Sequence, residues 1–174
     1  MKKLSGFFVL LLALTACSAI EPIKVKGVVV DCEKIKVESG TGEPLECLGG
    51  GGAIAADAIR GPALINVWGT WCEPCKQELP HLAHFLAKYS DQVDMVGIAV
   101  EEKNQQSVRK FIKNYGISWP ILYDATGATR GKFGMGVPVT WLVDEAGAVV
   151  YKKYGPFKST EEIELAAIKY LGVK

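Results

Sequence analysis

Two cysteines, Cys72 and Cys75, stand two residues apart, with Glu73 and Pro74 between them. Thiols at this spacing can hold a metal or trade electrons as a dithiol–disulfide couple. The flanking sequence favours the couple. Ala63 to Trp68 is an apolar run that reads as a buried strand, and Glu73 to Tyr89 follows a helical pattern. The C-x-x-C therefore opens a helix directly after a strand, the setting of a redox pair. A structural zinc site needs four ligands, and the chain has no second C-x-x-C and no His pair at suitable spacing. At a helix start the two intervening residues bring both sulfurs to one side. Free N–H groups and the helix dipole stabilise a thiolate at Cys72, while Cys75 sits one turn inward and is expected to be less exposed. Pro74 suits the first turn, where its missing N–H has no partner to lose. Pro80 lies deep in the helix and is expected to kink it.

The elements that must hold this pair follow a strand–helix pattern. Val93 to Val100 reads as a second buried strand, and Gln105 to Asn114 as a helix with Val108, Phe111 and Ile112 on one face, ended by Gly116. Ile121 to Tyr123 is a short strand, followed by a weak helix over Ala128 to Phe133. Val139 to Val143 and Ala148 to Tyr154 form a hairpin. Ser159 caps a last helix over Thr160 to Tyr170, with Glu161 and Glu162 in its first turn. Ahead of these, Val25 to Val30 is a candidate strand and Ala53 to Ile59 a short helical turn. Gly49 to Gly52 reads as a linker, because no Lys-Ser/Thr follows as a phosphate loop requires. The pattern implies an α/β fold on a mixed sheet.

The N-terminus reads as an export signal: Lys2 and Lys3, then an apolar stretch from Leu4 to Leu14 that is short for a membrane span. It ends in Leu14-Thr15-Ala16-Cys17, which resembles a bacterial lipobox, and Cys17 is then the lipidated first mature residue. The alternatives are an uncleaved anchor or an ordinary secretory leader. All three place the domain outside the cytoplasm, where disulfides persist. The expected division is a signal over 1–16, a lead-in over 17–52 and the main domain over 53–174. Of five cysteines, Cys32 and Cys47 remain. An oxidising compartment favours a structural disulfide between them, the alternative being unpaired or intermolecular thiols. With 20 basic and 19 acidic residues and no basic stripe interleaved with aromatics, nucleic acid is not an expected partner.

Trp71-Cys72-Glu73-Pro74-Cys75, Pro80 five positions after the second cysteine, and Val137-Pro138-Val139-Thr140 resemble the thioredoxin superfamily. The longer string Trp68-Gly69-Thr70-Trp71-Cys72-Glu73-Pro74-Cys75-Lys76 is closer still to its extracytoplasmic TlpA/ResA group. The resemblance runs from about Ala53 to Leu171. It implies a thioredoxin-like mixed sheet flanked by helices, an N-terminal strand extension, and the strand-plus-helix insertion that this group carries between Val100 and Gly136. It also implies roles. Cys72 is the attacking nucleophile and Cys75 the resolving thiol. Val137-Pro138 is the cis-proline loop that docks substrate backbone. Asn66 stands where thioredoxin has a buried Asp, and Glu78, three residues after Cys75, is the acid this group offers instead. Trp71 shields the dithiol and contacts substrate, while Glu73 and Pro74 tune the potential. No cofactor is implied. The group's best-known substrate is apocytochrome c, with electrons from a CcdA/DsbD-like membrane protein. A DsbA-like oxidant would use the same residues. A non-catalytic adaptor or a copper chaperone on this fold is the alternative of another class. His81 and His84 would be its ligands, but copper chaperones of this fold use a C-x-x-x-C. Glu101 and Glu102, after the second buried strand, read as solvated charge or a recognition feature.

Overall fold

The computed structural model describes residues 26–134 and 136–174. The leader, Cys17 and Val25 lie outside the described residues. Seven strands form one sheet: β1 (Pro44–Cys47), β2 (Ala53–Ala55), β3 (Ala63–Trp68), β4 (Asp94–Val100), β5 (Ile121–Asp124), β6 (Val139–Val143) and β7 (Val149–Tyr154). Four helices accompany them: α1 (Glu73–Tyr89), α2 (Gln105–Tyr115), α3 (Arg130–Phe133) and α4 (Thr160–Leu171). The strand order is β2-β1-β5-β4-β3-β6-β7. The central β5-β4-β3 pairs are parallel and the rest antiparallel, so the sheet is mixed.

Topology decides which face each helix covers. The steps from β3 to β4 and from β4 to β5 move in the same direction across the sheet, and right-handed crossovers then put α1 and α2 on one face. Leu79, Leu82 and Phe85 of α1 and Val108, Phe111 and Ile112 of α2 share a core there with Ile163 and Ala167 of α4. The chain next returns past β3 to reach β6, so α3 falls on the opposite face, where Phe133 packs with Ile65, Val67, Trp141 and Ile54. All six residues of β3 are buried, as expected of a strand covered on both sides.

The helix boundaries are set by local chemistry. Asn104 Oδ1 accepts from Ser107 N (2.8 Å) to cap α2, and Gly116 at φ 72° ends it. Ser159 Oγ accepts from Glu162 N (3.2 Å) to cap α4.

Three elements of the lead-in differ from expectation. Residues 26–30 are not a strand. Gly27 N donates to Lys113 O and Val28 N to Ile117 O, so this segment lies along the end of α2 instead of joining a sheet. The glycine run is not a linker but the turn between β1 and β2. Gly50, Gly51 and Gly52 have φ between 91° and 97°, which side chains rarely adopt. Ala53 to Ala55 is strand, with a single 3-10 turn after it at Ala56–Ala58. β1 also pairs with β5, extending the main sheet.

Candidate active site

The buried strand β3 delivers the chain to the head of α1, and Cys72 is the N-cap residue. Its extended backbone (φ −87°, ψ 106°) lets Sγ accept from Cys75 N at 3.1 Å. The helix start thus offers Cys72 sulfur an N–H donor, the arrangement that favours a thiolate once the pair is reduced. Cys72 and Cys75 are bonded to each other, their Cα atoms 5.3 Å apart. Cys75 is 1% exposed and Cys72 4%. Pro74 is in the first turn of α1 and is exposed. Glu73 is also exposed, and its carboxylate pairs with Lys76 Nζ at 2.9 Å, which offsets its charge beside the sulfurs.

The approach loop is held from the end of β4. Thr70 N and Thr70 Oγ1 both donate to the Glu102 carboxylate, the hydroxyl at 2.7 Å. Glu102 is buried, so it is neither solvated charge nor a recognition feature. It ties the Gly69–Cys72 turn to the neighbouring strand. The signal available in sequence was its place just beyond a buried strand. Trp71 is 53% exposed, and its indole N–H reaches Val100 O at 3.4 Å. A Cβ on Gly69 would meet the Trp71 ring at 2.7 Å, so glycine is what allows the indole to lie there.

Beneath the dithiol lies a buried polar network. Glu78 is fully buried one turn after Cys75. Its Oε1 accepts from Phe157 N at 2.9 Å and its Oε2 from Asn66 Nδ2 at 3.2 Å, while Asn66 also donates to Thr140 Oγ1 at 3.0 Å. Burial outweighs these hydrogen bonds and pushes the Glu78 carboxyl up to about 7. The carboxyl therefore changes charge near neutrality, as a proton carrier must. Thr140 and Phe157 N were not singled out in the sequence. Their part depends on strand register and on the chain returning from β7, neither of which is visible locally.

Pro138 enters β6 through a cis bond from Val137. Register places Val139 opposite Val67 and Thr140 opposite Asn66, so Val137-Pro138 stands beside the end of β3, next to the loop that carries Cys72. Pro138 O is taken by Gly155 N. Val137 is half-buried and, with Trp71, Val100 and Phe133, lines a cavity of about 320 Å³ beside the dithiol. The Glu101–Arg130 ion pair (2.9 Å) stands at its wall, with Glu101 in a left-handed conformation at φ 54°.

Cys32 and Cys47 are bonded, Cα atoms 6.1 Å apart, on the face opposite α1. They are separate from the dithiol. Among the described residues no three His, Cys, Asp or Glu side chains stand together as a metal site, and no helix is long and apolar enough to cross a membrane. His81 is partly exposed and His84 exposed on α1.

Comparison with known proteins agrees with this geometry. The Redoxin family model matches residues 46–168. Thioredoxin-like protein YneN of Bacillus subtilis is 31% identical over 122 residues, 67% of this chain and 72% of that one. Thiol-disulfide oxidoreductase ResA of Bacillus cereus is 28% identical over 167 residues, covering 94% of this chain and 95% of its own. The crystal structure of StoA from Bacillus subtilis superposes with a TM-score of 0.53 at 33% identity, over 59% of this chain and 79% of that one. A thioredoxin-like sheet, a C-x-x-C at the head of a helix and these relatives converge: the chain belongs to the Redoxin family and is a thiol–disulfide oxidoreductase of the ResA type.

Proposed function

We propose that the protein is a reductant of disulfides in extracytoplasmic partners, tethered to the membrane through an acylated Cys17. Apocytochrome c, whose C-x-x-C-H must be reduced before haem attachment, is the substrate the ResA-type resemblance suggests. A CcdA/DsbD-like membrane protein would restore the dithiol. The observation that carries this reading is kinship with ResA over nearly the full length of both chains, joined to a C-x-x-C at the head of a helix with the buried carboxyl of Glu78 one turn behind Cys75. A reductant must deprotonate its resolving thiol at ambient pH, and a buried carboxyl one turn away is a suitable acceptor.

The Cys72 thiolate attacks one sulfur of the substrate disulfide, forming a Cys72–substrate bond and releasing a substrate thiolate. Cys75 passes its proton to Glu78 and attacks Cys72 Sγ. The Cys72–Cys75 bond forms, and the second substrate sulfur leaves with the electron pair. The substrate gains two electrons and the protein becomes the disulfide. Trp71 and Val137, which line the cavity beside the dithiol, receive the substrate with the cis-Pro138 next to them, and Pro74 and Glu73, with its Lys76 partner, tune the potential.

An oxidised Cys-x-x-Cys-His peptide tests the reading. The reduced protein should open it stoichiometrically, Cys72→Ser should be inert, and Cys75→Ala should accumulate the mixed disulfide. A reduced protein that leaves the peptide oxidised would overturn the reductant assignment.

A further inference from the structure

The lead-in is pinned where it meets α2. Gly27 N donates to Lys113 O (3.2 Å) and Val28 N to Ile117 O (2.9 Å). A Cβ at Gly27 would collide with the carbonyl oxygens of Ile112 and Ile117, so only glycine brings the chain this close. Gly27 is buried, whereas Val28 beside it is 60% exposed. Val28, Lys26, Arg109 and Lys113 line one shallow groove of about 560 Å³. Lys110 is exposed one turn before Lys113 on the same stripe of α2. The helix itself, Gln-Gln-Ser-Val-Arg-Lys-Phe-Ile-Lys-Asn-Tyr, contains no acid. Among the described residues Lys26, Arg109, Lys110 and Lys113 form no ion pair, while seven other pairs do form. In a chain whose charges nearly cancel, this concentration of cations is local. Asp31 and Asp94, with Lys34 between them, line a separate groove beyond Val30 and Trp119.

We infer that this face, Lys26 and Val28 with Arg109, Lys110 and Lys113 of α2, is a docking surface for the anionic lipid headgroups of the membrane that carries the anchor. The inference rests on the proposed tether at Cys17. Eight residues, nine chain steps, separate Cys17 from Lys26, and even fully extended they reach at most about 30 Å. The pinned root of the tether is therefore held close to the bilayer, and the charges around it match an anionic surface. Val28 is placed to enter the interface among them. The dithiol lies at the C-terminal ends of β3 and β4, whereas the pinned root lies beside the C-terminus of α2, at the other end of the sheet. Docking thus turns the dithiol away from the lipid. A partner must carry its cysteines above the headgroups to meet it.

The acylated full-length protein, reconstituted in phosphatidylcholine vesicles with or without phosphatidylglycerol, tests this by amine footprinting and mass spectrometry. Lys26, Lys110 and Lys113 should react about tenfold more slowly on the anionic vesicles, with protection lost at about 0.5 M salt. Lys152, at the far edge of the sheet on β7, should react alike on both. Lys110→Glu with Lys113→Glu should remove the protection of Lys26. Equal rates on both vesicles with the protein still anchored would overturn the docking surface and leave the tether standing. A full-length protein that carries no acyl group and stays off both vesicles would overturn the tether, and the docking surface with it.

Discussion

The side-chain amide of Asn66 on β3 donates to the Glu78 carboxylate on α1 across 3.2 Å, in a layer with no exposed member. Where a carboxylate would repel Glu78, an amide supports it and stays neutral at every pH. The consequence is a single buried acid beneath the dithiol, fixed by Asn66 and Phe157 N and poised near neutrality.

That acid makes folding stability pH-dependent in a definite direction. Glu78 is raised from the ordinary 4.5 to about 7. Between those values the folded protein holds a proton that the unfolded chain has released. Stability therefore falls as pH rises from about 4.5 to about 7, then levels, by on the order of 3 kcal/mol. Denaturation of the oxidised protein across this range should show the slope, and Glu78→Gln should remove it. A slope of the same size in the variant would assign the effect elsewhere.

The same group should govern the rate of resolution. Substrate reduction should accelerate through about pH 7 as Glu78 ionises and becomes able to accept the Cys75 proton. Glu78→Gln should slow resolution of the mixed disulfide about a hundredfold and flatten that profile. Glu73→Gln, on the exposed side of the helix, should keep the pH step. Stopped-flow fluorescence with a disulfide peptide would read both.

Cys32 and Cys47 close a loop with a sequence separation of 15. Chain-entropy arguments assign such a bridge about 3 kcal/mol. Cys32→Ser with Cys47→Ser should lower the urea midpoint accordingly while leaving peptide reduction by Cys72 and Cys75 within about twofold of the parent, because the two bridges sit on opposite faces of the sheet. An equally large loss of turnover in the folded variant would mean that the bridges are coupled.

Glu102→Ala should free the Thr70 backbone and hydroxyl together. Hydrogen bonds to a carboxylate contribute about 1.5–3 kcal/mol each, so with both lost the variant should lose roughly 3 kcal/mol or more of stability and expose the Thr70 amide to hydrogen exchange. Thr70→Val keeps the backbone bond and should show a smaller change. Unaltered protection at Thr70 in Glu102→Ala would dismiss the brace.

Much of this molecule was legible in its sequence because its determinants are local. The C-x-x-C at the head of a helix, the capping Ser159 and the C-terminal Gly116 depend on residues within a turn of each other, and α1, β6 and the start of α4 stand where the pattern put them. The bracing roles of Glu102 and Thr140 are not legible in sequence because they lie in pairing across strands, Glu102 to a loop 32 residues away and Thr140 to Asn66 across 74. The glycine run was misread for a related cause. Four glycines look like slack until β1 and β2 are known to pair, and then positive φ is what the turn demands. Val25 to Val30 has strand composition, but its described residues find their partners on the end of a helix, so composition was overruled by tertiary contact.

The reduction potential of the Cys72–Cys75 couple tests the central claim most directly, by equilibration in defined thiol buffers followed by alkylation of the free thiols. The reductant account predicts a value at or below about −250 mV, on thioredoxin's side of the scale. A value above about −150 mV, toward that of DsbA, would contradict it and make the protein a donor of disulfides.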